Sequence, residues 1–299
     1  MATFTFKGLT ATSGMEFGLL MSESLQTILD YDSEKFTSTG ILFKDDAKNY
    51  MQFTGTGLTY KIQGGEVYGI KAGKFTGFKV VSDGITIASA SGLSVTGKLV
   101  SDAIDSGKTS KFFDALLAGS DKITATKYAD NFAGGAGNDK IYGLGGADTI
   151  HGNAGNDRLY GDAGNDKLYG DAGNDKLYGD AGNDKLYGGK GNDQLHGGAG
   201  KDLLDGGAGK DTLTGGGGVD TFVFRKGYGA DTITDFDAVG KAHDILDLTG
   251  VSAITSFKDL KDNHLSISGD KVIIDANGGD KIILQGVKLA DLDKGDFLF

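Results

Sequence analysis

From Gly134 to Val223 the chain consists of ten consecutive nine-residue units with no insertion between them. They read GGAGNDKIY, GLGGADTIH, GNAGNDRLY, three copies of GDAGNDKLY, then GGKGNDQLH, GGAGKDLLD, GGAGKDTLT and GGGGVDTFV. A short fixed period restricts the fold to a stack of like units, each contacting its neighbours. Position 8 is always a large apolar residue: Ile141, Ile150, Leu159, Leu168, Leu177, Leu186, Leu195, Leu204, Leu213 and Phe222. Side chains alternate faces along a strand, so positions 7 and 9 point away from the face that position 8 supplies. One apolar residue in nine makes no core alone, but a stack of them makes a continuous inner column.

Position 6 is Asp in every unit: Asp139, Asp148, Asp157, Asp166, Asp175, Asp184, Asp193, Asp202, Asp211 and Asp220. Each Asp ends a glycine-rich turn, which admits positive φ angles and close backbone approach. Carboxylates stacked at strand spacing repel strongly unless cations lie among them. The chain has no Cys, and only His151 and His196 fall within the repeats. The donors on offer are therefore carboxylate and carbonyl oxygens, which suit Ca²⁺ or Mg²⁺ rather than zinc or copper. A flexible glycine-rich cage favours Ca²⁺, which tolerates irregular coordination.

The units resemble the repeats-in-toxin (RTX) nonapeptide, G-G-x-G-x-D-x-U-x, over 90 of the 299 residues. That resemblance implies a mostly β chain with a right-handed parallel β-roll, two units to a coil, and Ca²⁺ between successive turns on each side. It would place one ion with Asp157 and Asp175 and another, on the opposite side, with Asp166 and Asp184. The implied ligands are the Asp column and backbone carbonyls of the turns. The turn residues concerned are Gly143, Gly152, Gly161, Gly170, Gly179, Gly188 and Gly197, with Asn138, Asn156, Asn165, Asn174, Asn183 and Asn192. Five turns per side leave four gaps, giving about eight or more ions. The phase also runs backwards through LLAGSDKIT and ATKYADNFA, where Asp121, Asp130, Ile123 and Phe132 keep their places. These two units lack most of the glycines and read as a degenerate capping coil. Inside the array, Asp162, Asp171 and Asp180 replace Gly at position 2, and Lys201, Lys210 and Val219 stand at position 5. Tyr160, Tyr169, Tyr178 and Tyr187, with Lys167, Lys176 and Lys185, form outward ladders. They read as a solvated strand face rather than a platform for acidic glycans.

The array divides the chain into three: an N-terminal β-rich module (1–115), the roll (116–223, regular from 134), and a C-terminal β cap with secretion signal (224–299). Net charge is −11, with 37 Asp and only Glu16, Glu23, Glu34 and Glu66. That bias reads as turn and metal-ligand usage, and the acidity excludes a nucleic-acid partner. No apolar run is long enough to insert into a membrane. The start, MATFTFKGLTATSG, does not read as a secretory signal peptide. Asp296-Phe297-Leu298-Phe299 resembles the uncleaved C-terminal signal of type I secreted RTX proteins. This implies the type I secretion apparatus as a partner and an extracellular destination.

In the N-terminal module, ATFTFKGLT, FTSTGILF, MQFTGTGLTYKI, KFTGFKVV and GITIASASGLSV alternate as strands, and Met15–Leu29 and Phe112–Leu117 are helix candidates. The first 115 residues contain no His, Cys or Trp, and no H-E-x-x-H or G-x-S-x-G occurs anywhere. No catalytic residue is therefore assigned. The expected function is a secreted, non-enzymatic calcium-binding component of adhesion, matrix or surface layer, with cell-surface polysaccharide or itself as partner. The alternative is a polysaccharide-active enzyme using carboxylates such as Glu16, Glu23, Asp45, Asp46 and Glu66. In the last segment Asn277-Gly278-Gly279 signals a hairpin. Asp231, Asp235, Asp244 and Asp247 match acidic positions of the serralysin-type cap and are candidates for a further Ca²⁺.

Overall fold

The computed structural model describes the backbone of residues 3–6, 33–37, 40–44, 50–63, 66–82 and 85–96, and residues 119–125, 127, 129–240 and 243–299, Phe132 by its backbone alone. The helix candidates Met15–Leu29 and Phe112–Leu117 and the N-terminal carboxylate side chains lie outside this set. Two compact units are present, Met1–Ile141 and Tyr142–Phe299.

The first unit carries β1 (Thr3–Phe6), β2 (Ser33–Thr37), β3 (Gly40–Lys44), β4 (Tyr50–Gln63), β5 (Glu66–Ser82) and β6 (Ile85–Thr96), then β7 (Lys122–Thr124), β8 (Asn131–Ala136) and β9 (Lys140–Tyr142). β2 to β6 pair antiparallel in chain order, β1 returns antiparallel to β6, and β7 adds parallel to β1. Where they are described, the alternating segments of the sequence lie on these strands: ATFTFKGLT contributes Thr3–Phe6 to β1, FTSTGILF is divided between β2 and β3, and MQFTGTGLTYKI, KFTGFKVV and residues 85–95 lie on β4, β5 and β6. Asp121 and Asp130 are buried, as is Ile123, and Asp121 N–H donates to Asp139 Oδ1 at 2.7 Å. The repeat phase is thus kept before its glycines begin.

The second unit carries β10 (Thr149–Ala154), β11 (Arg158–Tyr160), β12 (Lys167–Ala172), β13 (Lys176–Ala181), β14 (Lys185–Lys190), β15 (Gln194–Gly200), β16 (Leu203–Ala208), β17 (Thr212–Gly218) and β18 (Thr221–Arg225). The cap follows with β19 (Ala230–Ile233), β20 (Ile245–Gly250), β21 (Leu265–Ser268), β22 (Lys271–Asp275), β23 (Lys281–Gln285) and β24 (Phe297–Leu298). Successive nonapeptides alternate between two parallel sheets. One runs β10-β12-β14-β16-β18-β20-β24. The other runs β11-β13-β15-β17-β19-β23 and closes with antiparallel β22 and β21.

The register stacks like on like. Ile150, Leu168, Leu186, Leu204 and Phe222 align in one sheet and are continued by Leu246 and Phe297 of the cap. Leu159, Leu177, Leu195 and Leu213 align in the other and are continued by Ile233 and Leu284. Apart from Phe297, these residues have no solvent-accessible surface. The cap is therefore an extension of both columns, and it covers sheet ends that would otherwise expose unpaired backbone. The expected hairpin is present, with Asn277, Gly278 and Gly279 at φ 68°, 67° and 103° and β22 paired to β23. The sequence reading missed a short helical turn, α1 (Phe257–Asp259), continued through Leu260–His264 and capped by Ser256 Oγ accepting from Asp259 N–H.

Position 2 of each unit from Leu144 onward is left-handed. Gly, Asn and Asp tolerate this conformation; Leu144, at φ 70° with 46% of its surface exposed, does not. Leu144→Asn should stabilise the folded protein by about 1 kcal/mol, read as a higher thermal midpoint in Ca²⁺. A lower midpoint would show that the Leu side chain has a packing role.

Candidate metal centre

Every strand of the array begins just after its Asp, so the turn delivers the carboxylate to the sheet edge at the same height in each coil. From Asp148 to Asp220 the whole column is buried. The two carboxylate oxygens have different fates. Oδ1 accepts the backbone N–H of the Asp one coil earlier. The distances are 2.7 Å from Asp148 to Asp166, 2.7 Å from Asp157 to Asp175, 2.8 Å from Asp166 to Asp184 and 2.7 Å from Asp175 to Asp193. The links continue at 2.8 Å from Asp184 to Asp202, 2.8 Å from Asp193 to Asp211 and 2.9 Å from Asp202 to Asp220. Oδ2 of Asp166, Asp175, Asp184, Asp193, Asp202, Asp211 and Asp220 is buried with no hydrogen-bond partner.

An unpaired buried carboxylate oxygen is costly and requires an explanation. Burial pushes Asp166, Asp211 and Asp220 up to about 6, and Asp175, Asp193 and Asp202 up to about 7, against the opposing pull of the donated N–H. The neighbouring charges acting on these six groups are all carboxylates, which push in the same direction as burial.

The orphan oxygens of Asp166, Asp175, Asp184, Asp193 and Asp202 also share a glycine cradle with a backbone carbonyl. A Cβ on Gly161 would lie 2.5 Å from Asp166 Oδ2 and 2.8 Å from the Gly179 carbonyl oxygen. A Cβ on Gly170 would lie 2.5 Å from both Asp175 Oδ2 and the Gly188 oxygen, and one on Gly179 equally close to Asp184 Oδ2 and the Gly197 oxygen. Gly197 sits in the same way between Asp202 and Gly215, and Gly143, Gly152 and Gly188 sit likewise beside Asp148, Asp157 and Asp193. These seven glycines were selected from the sequence by their place in the unit. The structure shows that a side chain there would fill a cradle lined by one carboxylate and one carbonyl oxygen. At Gly206 and Gly215 the carboxylates of Asp211 and Asp220 remain, but no carbonyl oxygen stands among the nearest atoms.

Among the described residues no three His, Asp or Glu side chains converge on one point. The donor set is therefore one carboxylate with backbone oxygens, repeated along the stack. Such a set fits a hard cation of flexible coordination such as Ca²⁺.

The asparagines have a side-chain role that the one-letter pattern does not reveal. Oδ1 of Asn156, Asn165, Asn174, Asn183 and Asn192 accepts the N–H of the residue one coil later, at 2.7, 2.8, 2.6, 2.8 and 2.9 Å. The last two donors are Lys201 and Lys210, which explains why position 5 can change there. Asn138 N–H donates to Ser120 Oγ at 3.1 Å. The outward rings stack on one another: Tyr142, Tyr160, Tyr178 and His196 at 4.9 to 5.0 Å in one sheet, and His151, Tyr169 and Tyr187 at 4.3 and 4.9 Å in the other. Tyr160, Tyr169 and Tyr178 thus have a ring against each face.

The four acids of the cap divide. Asp231 keeps the pattern: Oδ1 accepts Asp211 N–H at 2.8 Å, and Oδ2 is buried without a partner. Asp235 accepts from Gly215 and Gly216 N–H, and Asp244 from Asp220 and Asp237 N–H, so both oxygens of each are used. Asp247 Oδ1 closes a local turn with Thr249. Asp296, the one acid of Asp296-Phe297-Leu298-Phe299, is fully buried; its Oδ2 accepts Asp293 N–H at 2.7 Å and its Oδ1 lies 2.8 Å from His243 Nδ1.

The RTX calcium-binding nonapeptide repeat (4 copies) matches residues 117–150, 142–177, 151–186, 160–195 and 187–222. No curated protein matches the chain. Among solved structures the extracellular lipase LipA from Serratia marcescens is 18% identical, with a TM-score of 0.33, over 61% of this chain and 38% of the lipase. This chain thus corresponds to well under half the length of that lipase. The AlgE6R3 subunit of the mannuronan C5-epimerase from Azotobacter vinelandii is 21% identical at a TM-score of 0.25, over 60% of this chain and 78% of that one. The AlgE6R2 subunit of the same enzyme is 25% identical at 0.29, over 60% and 92%. With the nonapeptide register, the paired parallel sheets and the ladder of buried carboxylates in place, residues 117–222 of this chain are an array of RTX calcium-binding repeats.

Proposed function

We propose that this protein is a secreted calcium-binding protein whose roll folds when Ca²⁺ becomes available outside the cell, and that it acts there without catalysis in adhesion, matrix or surface-layer structure. The observation that carries the calcium-dependent part is the row of buried Oδ2 atoms from Asp166 to Asp220, each without a partner. When bound, Ca²⁺ supplies the positive charge that these oxygens lack. The rest is done by the chain. Each Oδ1 ties its coil to the N–H of the coil before, the glycines bring carbonyl oxygens to the carboxylate, and the leucine column excludes water behind the turns. With metal scarce, repulsion among the carboxylates and the conformational entropy of a glycine-rich chain oppose folding. With metal present, binding free energy becomes folding free energy. Export through the type I apparatus is consistent with a chain held unfolded until it emerges. The non-catalytic reading rests on the absence of His, Cys and Trp from the first 115 residues.

Replacing Asp166, Asp175 and Asp184 together by Ala should raise the Ca²⁺ concentration at the folding midpoint about tenfold or more. Each change removes a ligand and an inter-coil acceptor from the centre of a cooperative stack. Circular dichroism against Ca²⁺ reads this directly, and an unchanged midpoint would refute the ligand assignment. Sedimentation velocity in millimolar Ca²⁺ tests the role: reversible growth into assemblies supports a matrix or surface-layer component, and a compact monomer that hydrolyses or modifies polysaccharide contradicts it.

A further inference from the structure

The apolar columns of the two sheets end in different ways. In the β18–β20 sheet the column stops at Phe297, which is buried. In the β17–β19 sheet the register carries it from Ile233 to Leu284, Val272 and Ile267, and Ile267 is 61% exposed. Beside it, Asp231 is followed across the cap by Ile282, Ile274 and Leu265. Leu265 and Ile267 therefore lie on the inward face of β21, with Ser266 and Ser268 on the outward face. β21 is the last strand of its sheet, and among the described residues it pairs with β22 alone.

This edge lacks the usual protections against further pairing. No charge and no Pro occurs from Leu265 to Gly269, and the pairing with β22 has no bulge. Ser266, Ile267 and Ser268 are all exposed. The end strand of the other sheet, β24, has only two residues. A two-residue turn, with Gly269 at φ 66°, closes the hairpin on the Ser268–Lys271 pair. Backbone groups point to alternate sides along a strand. Ser268 and Ser266 thus bond to β22, and the N–H and C=O of Leu265 and Ile267 point to the open edge.

We propose that β21 is a docking edge for a second copy of this chain, which adds its own β21 antiparallel about a twofold axis at Ser266. In that register Leu265 of each copy faces Ile267 of the other. The two residues exchange backbone hydrogen bonds, and both apolar columns run on across the junction. A slip of one residue would set Ser against the apolar face, so the register is fixed. The edge is its own complement, as a twofold contact requires. A net charge of −11 opposes the approach of two copies elsewhere, whereas the segment from His264 to Gly269 carries no acid. One short strand pair falls under the about 1,000 Å² of a lasting interface, so the dimer depends on concentration. The inference rests on the self-association named in the proposed function and gives it a surface.

Sedimentation equilibrium in millimolar Ca²⁺ reads the dimer. The unaltered chain should show a monomer–dimer equilibrium. Ile267→Lys, which puts a charge on the edge at an exposed position, should stay monomeric at the same concentrations with unchanged circular dichroism. Ser266→Cys tests the register. On the twofold axis, facing Cα atoms are about 4.5 Å apart, within the about 4.4–6.8 Å that a disulfide spans, and the chain has no other Cys. This variant should oxidise to a covalent dimer, whereas Ser268→Cys, facing the second copy's His264, should not. An unaltered chain that is monomeric at every soluble concentration overturns the proposal and leaves the edge to a strand of another protein. Assemblies that persist in Ile267→Lys overturn it too, while the matrix or surface-layer reading stands. Should Ile267→Lys not fold, the Cys variants decide: cross-linking that is equal in both, or absent from Ser266→Cys, overturns it.

Discussion

Gly173→Ala is expected to leave the array unfolded even in saturating Ca²⁺, whereas Gly217→Ala is expected to be neutral or slightly stabilising. Gly173 has φ +141°, and a Cβ there would fall within bonding distance of the Gly155 carbonyl oxygen. The obstacle is backbone on both sides, so it cannot rotate away. Overpacking of about 1–3 kcal/mol adds to left-handed strain of order 1–3 kcal/mol, and the coils on either side would be pushed apart. Gly217 has no atom within 4 Å of its Cβ position and no positive φ. Alanine there would cost nothing in the fold and would restrict the unfolded chain, for a gain of about 0.4–1 kcal/mol. Circular dichroism of the two variants in millimolar Ca²⁺ is the measurement. A folded Gly173→Ala would show that the coils can separate further than their hydrogen bonds allow.

Chelation at pH 8 should abolish the fold of the roll, and acidification of the chelated chain should restore part of it. Seven buried carboxylates without counter-charge, at several kcal/mol each, exceed the about 5–15 kcal/mol by which a domain is ordinarily stable. Without metal, burial holds the folded-state values of Asp166 and Asp211 at about 6 and of Asp175, Asp193 and Asp202 at about 7, against a reference of 3.8. Between those limits the fold binds more protons than the unfolded chain, so metal-free stability is greatest near pH 4 and falls as pH rises through 7. Above about pH 5 the carboxylates of the unfolded chain are already ionised, so folding onto Ca²⁺ displaces no protons from them, while the protonated metal-free fold gains stability. The Ca²⁺ needed at the folding midpoint should therefore fall between pH 8 and 5.5. A midpoint that rises steeply over that range would contradict the burial of these carboxylates in the metal-free fold.

The array was legible because its period states its geometry: a strict nonapeptide with one apolar residue and one Asp can only stack. The N-terminal strands were legible for a weaker reason, the alternation of residues such as those of MQFTGTGLTYKI. The pairing that returns β1 to β6 and sets β7 parallel to β1 left no mark in the sequence, because strand order is decided by contacts between distant segments. In the metal centre the Asp column and its glycines could be named, but the division of labour between Oδ1 and Oδ2 could not, since it depends on how coils are offset. The four cap acids looked alike in the sequence. Only the donors that reach Asp235 and Asp244 separate them from Asp231.

Two hydrogen-bond ladders cross the coils in opposite senses. Asp side chains reach back to the preceding coil, while Asn side chains serve the following one. The array thus has a head and a tail with different requirements. At the head, Ser120 supplies the acceptor that an earlier asparagine would have given. At the tail, Asp231 and Asp244 supply what the next aspartates would have given. The terminal adaptors are not interchangeable, but an internal coil meets the same partners wherever it stands. Whole coils of two units, which keep each sheet in step with its own cap strand, can be gained or lost between the fixed ends without any new fitting.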